Sequence, residues 1–359
     1  MKRALFFCLA LLFVLVLSVS CGNEAETPPV STDEQTTVLT LESTTSALTS
    51  TVAEETEEVT YADVVYDTTP ITDEDGAPLA LHWNPYLLSP LLTEDDSIRE
   101  GADAMIKAIL NHRQKVVFSS PDVMNAVCDN LFYEFPPSAL CEFEKNTETC
   151  TVKIRYRLPR NEHLEAIASF GARVEEIVLS TLQFGDGDAE KALLLYHEVC
   201  RSVSYFYEDY KSWQTNAFYA LTEGKTICYG FADAYNYLLR QVGVEAYLVK
   251  SRRPSDNAPH GWSIVKIDDL WYHADPTWES NAFSGESFLY FGYTDVKRKN
   301  AVSLDIATIG EGLLKQPLLY HAISTRFEKL NSMDLAFEEW TLDREKQVIL
   351  FDNKEYPYS

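Results

Sequence analysis

Three separated segments of the chain carry residue types that can perform nucleophilic chemistry together. They are residues 224–232 (GKTICYGFA), 260–265 (HGWSIV) and 271–278 (WYHADPTW). A cysteine thiol attacks a carbonyl carbon efficiently when an imidazole removes its proton and a carboxylate orients that imidazole. Cys228, His260 and Asp275 supply these three groups, one in each segment. The sequence therefore predicts a thiol nucleophile, provided that the fold brings the segments together.

The segment after Gly224 predicts a helix that begins near Cys228. Apolar and aromatic residues at 228, 231, 235, 238 and 239 recur at helical spacing, and Gly243 is suited to end the helix. Cys228 then lies in the first helical turn. The positive end of a helix dipole favours a thiolate over a thiol at that position.

Strands are expected to carry the histidine and the aspartate. Residues 244–250 predict one strand, and two more flank an acidic turn at residues 268–269. A two-residue turn would pair His260 with Thr277, whereas a four-residue loop would place it opposite Asp275. In either register His260 and Asp275 share one face of the sheet. His273 points to the same face and is a rival for the base.

Together the three segments resemble the transglutaminase-like superfamily, with its Cys-x-Gly-x-Ala at a helix start, His-Ala-Trp on a strand and Asp-Pro-Thr-Trp on the next. The resemblance covers roughly residues 192–278, with Gly261 in place of the common Ala and Ser263 in place of the common Asn. It implies an α+β fold with a papain-like core, in which the cysteine helix packs on an antiparallel sheet. It also implies Cys228 as nucleophile, His260 as general base and Asp275 as the group that orients the base. The His-x-Trp signature favours His260 over His273.

An oxyanion hole would need two hydrogen-bond donors. One is expected to be the backbone N–H of Cys228, at the helix N-terminus. For the second, Tyr205 resembles a tyrosine that family members place a short way before the nucleophile. Trp213 and Gln214 compete with Tyr205 for this role, and ordinary packing is the alternative for all three.

The N-terminus has the pattern of an exported protein. Lys2 and Arg3 precede an apolar run at residues 5–17, and the stretch that ends in Cys21 resembles a bacterial lipobox with Ser18 where Leu is usual. Residues 1–21 are therefore predicted to be a lipoprotein signal peptide. Lipidation of Cys21 would anchor the protein to the extracytoplasmic face of the cell membrane, with simple cleavage and secretion as the alternative. No later stretch is apolar for long enough to span a bilayer.

Charge and composition divide the rest of the chain. The net charge is −25, and residues 22–98 hold 17 acidic side chains and no Lys or Arg. No basic face is visible, so nucleic acid is excluded as a partner. Residues 22–75 are predicted to be a disordered acidic linker, and residues 61–90 a transition in which Trp83 and Tyr86 could pack on the body. An N-terminal α/β region is predicted at 93–185 and the transglutaminase-like domain at 186–359.

Within the N-terminal region the pattern predicts helices from Ser97, from about Asp122 and over 161–182, and strands at 115–118, 140–146 and 149–157. Asp188 is expected to cap the next helix. Cys141 and Cys150 bracket a hairpin, and a two-residue turn at 145–146 would set them opposite each other. Both a disulfide and two reduced thiols are compatible with this pattern. No metal-ligand spacing occurs, so no metal or cofactor is predicted.

The predicted chemistry is attack of a thiolate on a carboxamide to form a thioester. Water would release an acid, as in a peptidase or amidase, and a lysine amine would give a cross-link, as in an acyltransferase. Bacterial members with this plan resemble cysteine peptidases or peptide-processing enzymes, so the expected partner is a peptide or protein of the cell envelope. The alternative is a catalytically silent surface scaffold that keeps the fold.

Overall fold

The computed structural model describes residues 63–72, 78–207, 209–283, 287–333 and 340–359. The predicted signal peptide, Cys21 and most of the predicted linker lie outside these residues. The chain divides into Met1–Val59 and one compact unit, Thr60–Ser359. The boundary predicted between residues 185 and 186 lies inside that unit and stays a prediction.

Helices alternate with short strands through the described residues. The α-helices are α1 (Pro90–Thr93), α2 (Asp96–Leu110), α3 (Pro121–Glu134), α4 (Arg160–Thr181), α5 (Asp188–Ser202), α6 (Ala217–Glu223), α7 (Cys228–Gln241), α8 (Pro276–Phe283) and α9 (Asp295–Arg298). None of the helices described is long and apolar enough to cross a membrane.

The strands are β1 (Pro70–Thr72), β2 (Pro78–Leu81), β3 (Lys115–Val117), β4 (Cys141–Asn146), β5 (Thr151–Tyr156), β6 (Ser204–Tyr205), β7 (Lys225–Thr226), β8 (Ala246–Arg252), β9 (Pro259–Ile267), β10 (Leu270–Ala274), β11 (Thr308–Ile309), β12 (Gln316–Pro317), β13 (Thr341–Asp343), β14 (Val348–Phe351) and β15 (Lys354–Pro357). The central sheet is antiparallel, with strand order β10-β9-β8-β11-β12. Smaller sheets have the orders β3-β5-β4 and β13-β14-β15, and β6 pairs in parallel with β7.

The central sheet separates two hydrophobic clusters, because successive side chains of a strand point to opposite faces. On β9, Val265 and Ile267 belong to the larger cluster together with the inner face of α7, whereas Trp262 and Ile264 belong to the smaller one. Helix α7 packs against β8 and β9. The predicted α+β core, with the cysteine helix on an antiparallel sheet, is confirmed.

Most predicted elements of the N-terminal region are present, but two helix caps were assigned to the wrong residue. Helix α2 is capped by Asp95, whose carboxylate accepts from the N–H of Ile98 at 3.0 Å, and Ser97 lies inside the helix. Asp188 is the first residue of α5, after the N-cap Gly187. The Glu190 carboxylate accepts from the N–H of Gly187 at 3.0 Å. A glycine has no side chain to cap with, so this reciprocal bond is invisible to a search for capping residues.

The predicted linker extends too far toward the C-terminus. Residues 63–72 contact the body, where Asp63 forms ion pairs with Lys107 and Arg113. The ring of Tyr66 meets that of Trp83 edge to face at 5.2 Å between centroids. Trp83, by contrast, is buried, as predicted for the transition at residues 61–90.

The hairpin register separates the two cysteines that were considered for a disulfide. Asn146 pairs with Thr151, so the turn holds four residues and not two, and Cys141 lies opposite Tyr156. Cys150 sits in the turn itself with φ of 50°. Cys128, Cys141, Cys150, Cys200 and Cys228 are all free thiols.

Candidate active site

Cys228 is the first residue of α7, as predicted, and its side chain lies in a buried position with 6% of the residue exposed. The first hydrogen bond of the helix runs from the N–H of Phe231 to the carbonyl of Ile227 at 3.1 Å. The N–H of Cys228 comes before it and has no partner within the helix. It is thus available as an oxyanion donor.

Gly230 explains part of the cysteine motif. A Cβ at this position would lie 1.9 Å from the hydroxyl oxygen of Thr226, on the short strand β7 that leads into α7. Glycine is therefore the residue that lets the helix start close to its preceding strand. This contact fixes where Cys228 stands relative to β7 and to Tyr205 on the adjoining strand β6.

His260 lies near the start of β9, opposite Ser251 of β8, and is 4% exposed. Its Nε2 is 2.6 Å from Oδ2 of Asp275. The other ring nitrogen, Nδ1, is left for Cys228. Burial by itself lowers the pKa of His260, but the Asp275 carboxylate and then Cys228 outweigh it and raise the pKa to about 9.

Asp275 follows β10 directly and is 1% exposed. Leu270 pairs with Ile267, which confirms the two-residue turn and puts Asp275 diagonally across from His260. Its Oδ1 accepts from the N–H of Trp278 at 3.1 Å. Burial raises the pKa of Asp275, whereas His260 and Arg298 lower it, and the net pKa is about 2. The carboxylate is therefore charged at neutral and mildly acidic pH.

Two tryptophans enclose the histidine. The ring of Trp278 stacks on His260 at 4.6 Å between centroids and 9° between planes, and Trp262 lies at 6.1 Å and 17°. Stacking on Trp278 limits rotation of the imidazole and so helps to hold the ring of His260 in place.

Arg298 is a residue of this site that sequence reasoning missed. It is buried on α9, and its Nη2 donates to Oδ2 of Asp275 at 2.7 Å. Its guanidinium lies over the rings of Trp262 and Trp278 at 4.5 and 4.4 Å. It belongs to none of the three motifs, and a four-residue helix gives no pattern that would mark it.

His273, the rival base, is engaged elsewhere. Its Nδ1 accepts from the indole N–H of Trp262 at 2.9 Å, and its Nε2 is 2.9 Å from Oδ1 of Asp295. An indole nitrogen can only donate, so His273 is neutral with its proton on Nε2. Both nitrogens are occupied, which leaves none to take a proton from Cys228.

Tyr205, a predicted oxyanion donor, pairs with Thr226 of β7, two residues before Cys228. Burial, and next the charge of Cys228, raise the pKa of Tyr205 to about 12, so its hydroxyl stays a donor. Trp213 packs on Tyr219 and under the guanidinium of Arg157. The amide oxygen of Gln214 accepts from the N–H of Lys211 at 2.8 Å, and its backbone carbonyl accepts from the hydroxyl of Thr226 at 2.9 Å. These contacts leave the indole N–H of Trp213 and the amide N–H groups of Gln214 as candidates beside Tyr205.

No group of three or more His, Cys, Asp or Glu side chains that could hold a metal ion occurs in the part of the chain that the structure describes.

The part of the chain that contains the candidate site is similar to known proteins. Residues 176–276 match the family model of the transglutaminase-like superfamily. No curated protein matches the sequence. Solved structures with partial similarity include a proposed cysteine protease from Cytophaga hutchinsonii, with 20% identity over 31% of this chain and 37% of that chain and a TM-score of 0.25. A TGase has 14% identity over 38% and 43%, with a TM-score of 0.27.

A proposed protease from Parabacteroides distasonis ATCC 8503 has 10% identity over 37% of this chain and 35% of that chain, with a TM-score of 0.23. The matches span less than half the length of each of these solved chains. The segment matched by the family model contains Cys228, His260 and Asp275. The chain therefore contains a domain of the transglutaminase-like superfamily.

Proposed function

We propose that this protein is a thiol enzyme that forms a thioester at Cys228 from a peptide or carboxamide substrate. The observation that carries the proposal is the buried pair of His260 and Asp275, 2.6 Å apart, whose free imidazole nitrogen is left for Cys228 at a helix N-terminus. An imidazole in this arrangement takes the thiol proton, and the carboxylate keeps the ring in the required tautomer.

In the proposed reaction the thiolate of Cys228 attacks the carbonyl carbon of the substrate. The N–H of Cys228 and the hydroxyl of Tyr205 donate to the oxygen that becomes negatively charged. The carbon–nitrogen bond breaks, and Nδ1 of His260 gives its proton to the departing amine. Water or an amine then attacks the thioester while His260 accepts the proton of the attacking group. The carbon–sulfur bond breaks, which releases the acid or the new amide and returns Cys228 to the thiolate beside the protonated His260.

Aromatic side chains around the thiol support a peptide substrate. The ring of Tyr205 contacts that of Tyr207, which is 80% exposed, at 5.3 Å between centroids. Tyr210 is also exposed, and Tyr229 follows Cys228 in the chain. Such side chains offer apolar surface together with hydrogen-bonding groups, as peptide-binding sites require.

Mass spectrometry of the protein after incubation with peptide libraries, with and without an alkylamine, tests the proposal. We expect an acyl adduct on Cys228, and either its hydrolysis or its transfer to the amine. Cys228→Ala should show neither product. A wild-type protein that forms no adduct with any peptide or carboxamide, although Cys228 is accessible, would favour the silent scaffold.

We also propose that the protein acts at the extracytoplasmic face of the cell membrane, on a peptide or protein of the cell envelope. The lipobox-like stretch before Cys21 and the acidic composition of residues 22–62 support this location. Membrane fractionation of cells should find the wild-type protein in the detergent-soluble membrane fraction. Cys21→Ser should move it to the soluble or secreted fraction.

A further inference from the structure

Arg298 makes contacts that differ from those of an ordinary buried arginine. Its side chain is 1% exposed, and its charge is paired with Asp275, itself 1% exposed. Oδ2 of Asp275 receives both the Nη2 hydrogen bond of Arg298 and the Nε2 bond of His260. The arginine and the general base therefore share a single oxygen atom.

The two tryptophans hold the arginine and the histidine together. Both the guanidinium of Arg298 and the ring of His260 lie against Trp262 and Trp278. The electron-rich faces of indole rings attract cations, most strongly where water is excluded. The enclosure therefore suits two cations, a guanidinium and an imidazolium, with the carboxylate of Asp275 joining them.

The charges of this cluster balance when Cys228 is a thiolate and His260 an imidazolium, as they also do when both groups are neutral, because Arg298 offsets Asp275 in either state. The thiolate and Asp275 each carry one negative charge, and the His260 imidazolium and Arg298 each carry one positive charge. Buried charge is tolerated when it is paired and costs a great deal when it is not. Without Arg298 the same reactive state would leave a net negative charge in the buried site.

We propose that Arg298 is a positioning residue of the thiol site. It holds the Asp275 carboxylate in place and charged, and through Asp275 it keeps His260 turned toward Cys228 and protonated beside the thiolate. This inference rests on the proposed function, since it assigns Arg298 to the thiol chemistry. A purely structural Arg298 would only tie α9 to the end of β10.

Other titratable groups also face Asp275 from the elements packed around it. They are His260 on β9, Arg298 on α9, Tyr196 and Cys200 on α5, Glu279 on α8, and Tyr290 and Tyr293 in the segment that follows. Of these, His260 and Arg298 are the cations. Glu279, Cys200 and the three tyrosines are acids whose pKa burial raises, and an acid is never positively charged, so none of them can replace the charge of Arg298.

The first test is an NMR titration of the carboxyl carbon of Asp275 from pH 3 to pH 7, which needs no substrate. In the wild type we expect no transition in this range. In Arg298→Met we expect the apparent pKa of Asp275 to rise by about 1–3 units, the usual effect of removing an adjacent opposite charge, so that a transition enters the range. An unchanged pKa of Asp275 in Arg298→Met would overturn the proposal.

Arg240→Met is the matched control. Arg240 is also buried and paired with a buried carboxylate, Glu134 at 2.9 Å, but it lies in the last turn of α7, at the end of the helix opposite Cys228. It should lose stability in the same way and leave the Asp275 titration unchanged. An equal shift of the Asp275 pKa in Arg240→Met would show that a general loss of stability changes this pKa. That result would overturn the proposal as well.

The second test is the pH dependence of iodoacetamide alkylation at Cys228. Protonation of Asp275 should weaken the imidazolium that stabilises the thiolate, so Arg298→Met should move the acid limb of the rate profile to higher pH by about 1–3 units. Arg298→Lys keeps the positive charge but lacks the planar guanidinium with its several N–H donors, so it should show only part of the shift seen in Arg298→Met. If Arg298→Met does not fold, Arg298→Gln, which keeps a hydrogen-bond donor but removes the charge, carries both tests. Arg298→Gln profiles equal to those of the wild type would then overturn the proposal.

The outcomes separate this inference from the proposed function. If an acyl adduct forms at Cys228 but the pKa of Asp275 is unchanged in Arg298→Met, the role of Arg298 is refuted and the proposed function stands. If the pKa of Asp275 shifts but the protein never forms an adduct, the electrostatic role of Arg298 stands and the proposed reaction is refuted.

Discussion

At the scale of single residues, the orientation of His260 follows from how its two nitrogens are used. Asp275 binds Nε2 at 2.6 Å, and the stacked ring of Trp278 prevents the imidazole from turning. His273 has the same side chain two residues before Asp275, but Trp262 and Asp295 occupy its nitrogens. Hydrogen-bonding partners, and not residue type, therefore decide which histidine can act as a base.

We predict that Cys228 is alkylated faster than any other cysteine of the described residues at pH 6. The alkylation rate of Cys150 is the most informative comparison. Cys150 is more exposed than Cys228 and would react first if solvent exposure alone determined the rate. Burial raises the pKa of Cys128 to about 12 and also raises that of Cys141 and Cys200. Peptide mapping after timed iodoacetamide labelling gives the rates. His260→Ala should abolish the advantage of Cys228, and equal labelling of Cys150 and Cys228 in the wild type would refute this prediction.

Asp275→Ala is predicted to lower stability as well as reactivity, because it leaves the buried charge of Arg298 without a partner. Loss of one member of a buried ion pair costs about 3–5 kcal/mol. Urea denaturation should show this loss in Asp275→Ala and recovery of a large part of it in Asp275→Ala with Arg298→Met. A double variant as unstable as the sum of the two single ones would contradict the pairing.

At the scale of elements, the site depends on how closely the start of α7 approaches β9. Gly261 stands where the family commonly has alanine, and an added Cβ there would lie 2.4 Å from the ring of Tyr229. The same ring has Lys250 of β8 over it at 5.5 Å, and Lys250 pairs with Gly261 across the sheet. The large side chain of Tyr229, after Cys228, is therefore matched by the absence of a side chain at Gly261, after His260.

We predict that Gly261→Ala destabilises the protein and slows alkylation of Cys228, because the ring of Tyr229 must move. Overpacking of this kind typically costs about 1–3 kcal/mol. Thermal melting and the alkylation rate at pH 6 measure the two effects. Tyr229→Leu in the Gly261→Ala background should restore both, and a Gly261→Ala protein that behaves like the wild type would show that the ring has room to shift.

At the scale of the whole molecule, the N-terminal part of the compact unit supports the face of α7 that points away from the central sheet. The indole N–H of Trp83 donates to the hydroxyl of Tyr237 at 2.6 Å, and Asn84 and Gln241 exchange two hydrogen bonds of 3.1 Å. Glu134 of α3 pairs with Arg240 in a buried position. The helix that carries the nucleophile is thus held from two sides.

Two truncations should distinguish the N-terminal residues that stabilise the compact unit from those that do not. A protein that starts at residue 60 should melt at the same temperature as one that starts at Gly22, whereas one that starts at residue 75 should melt lower. The second truncation removes the contact of Tyr66 with Trp83 and the pairing of β1 with β2. A loss of 1 kcal/mol corresponds to about 2–4 °C in a domain of this size class. Equal melting temperatures for all three proteins would show that residues 63–72 contribute nothing to stability.

The sequence by itself determined the nucleophile, the base and the orienting acid as candidates, together with the helix and strands that bear them. It could do so because hydrophobic periodicity and motif spacing are local, and because both a two-residue turn and a four-residue loop around residues 268–269 leave His260 and Asp275 on one face of the sheet. The structure shows that the turn has two residues. The same locality explains why most elements before Cys228 were predicted while the caps at Asp95 and Gly187 were missed, since one or two residues decide a cap.

Only the tertiary structure decided which groups surround the candidates. Arg298 reaches Asp275 from a helix 23 residues further along the chain, and no local pattern records that contact. The hydrogen bonds of His273 to Trp262 and Asp295 are likewise set by how strands and helices pack against each other. The physical reason is that burial, shared hydrogen bonds and charge balance arise between residues far apart in the chain, and they come into being only when the sheet and its helices are assembled.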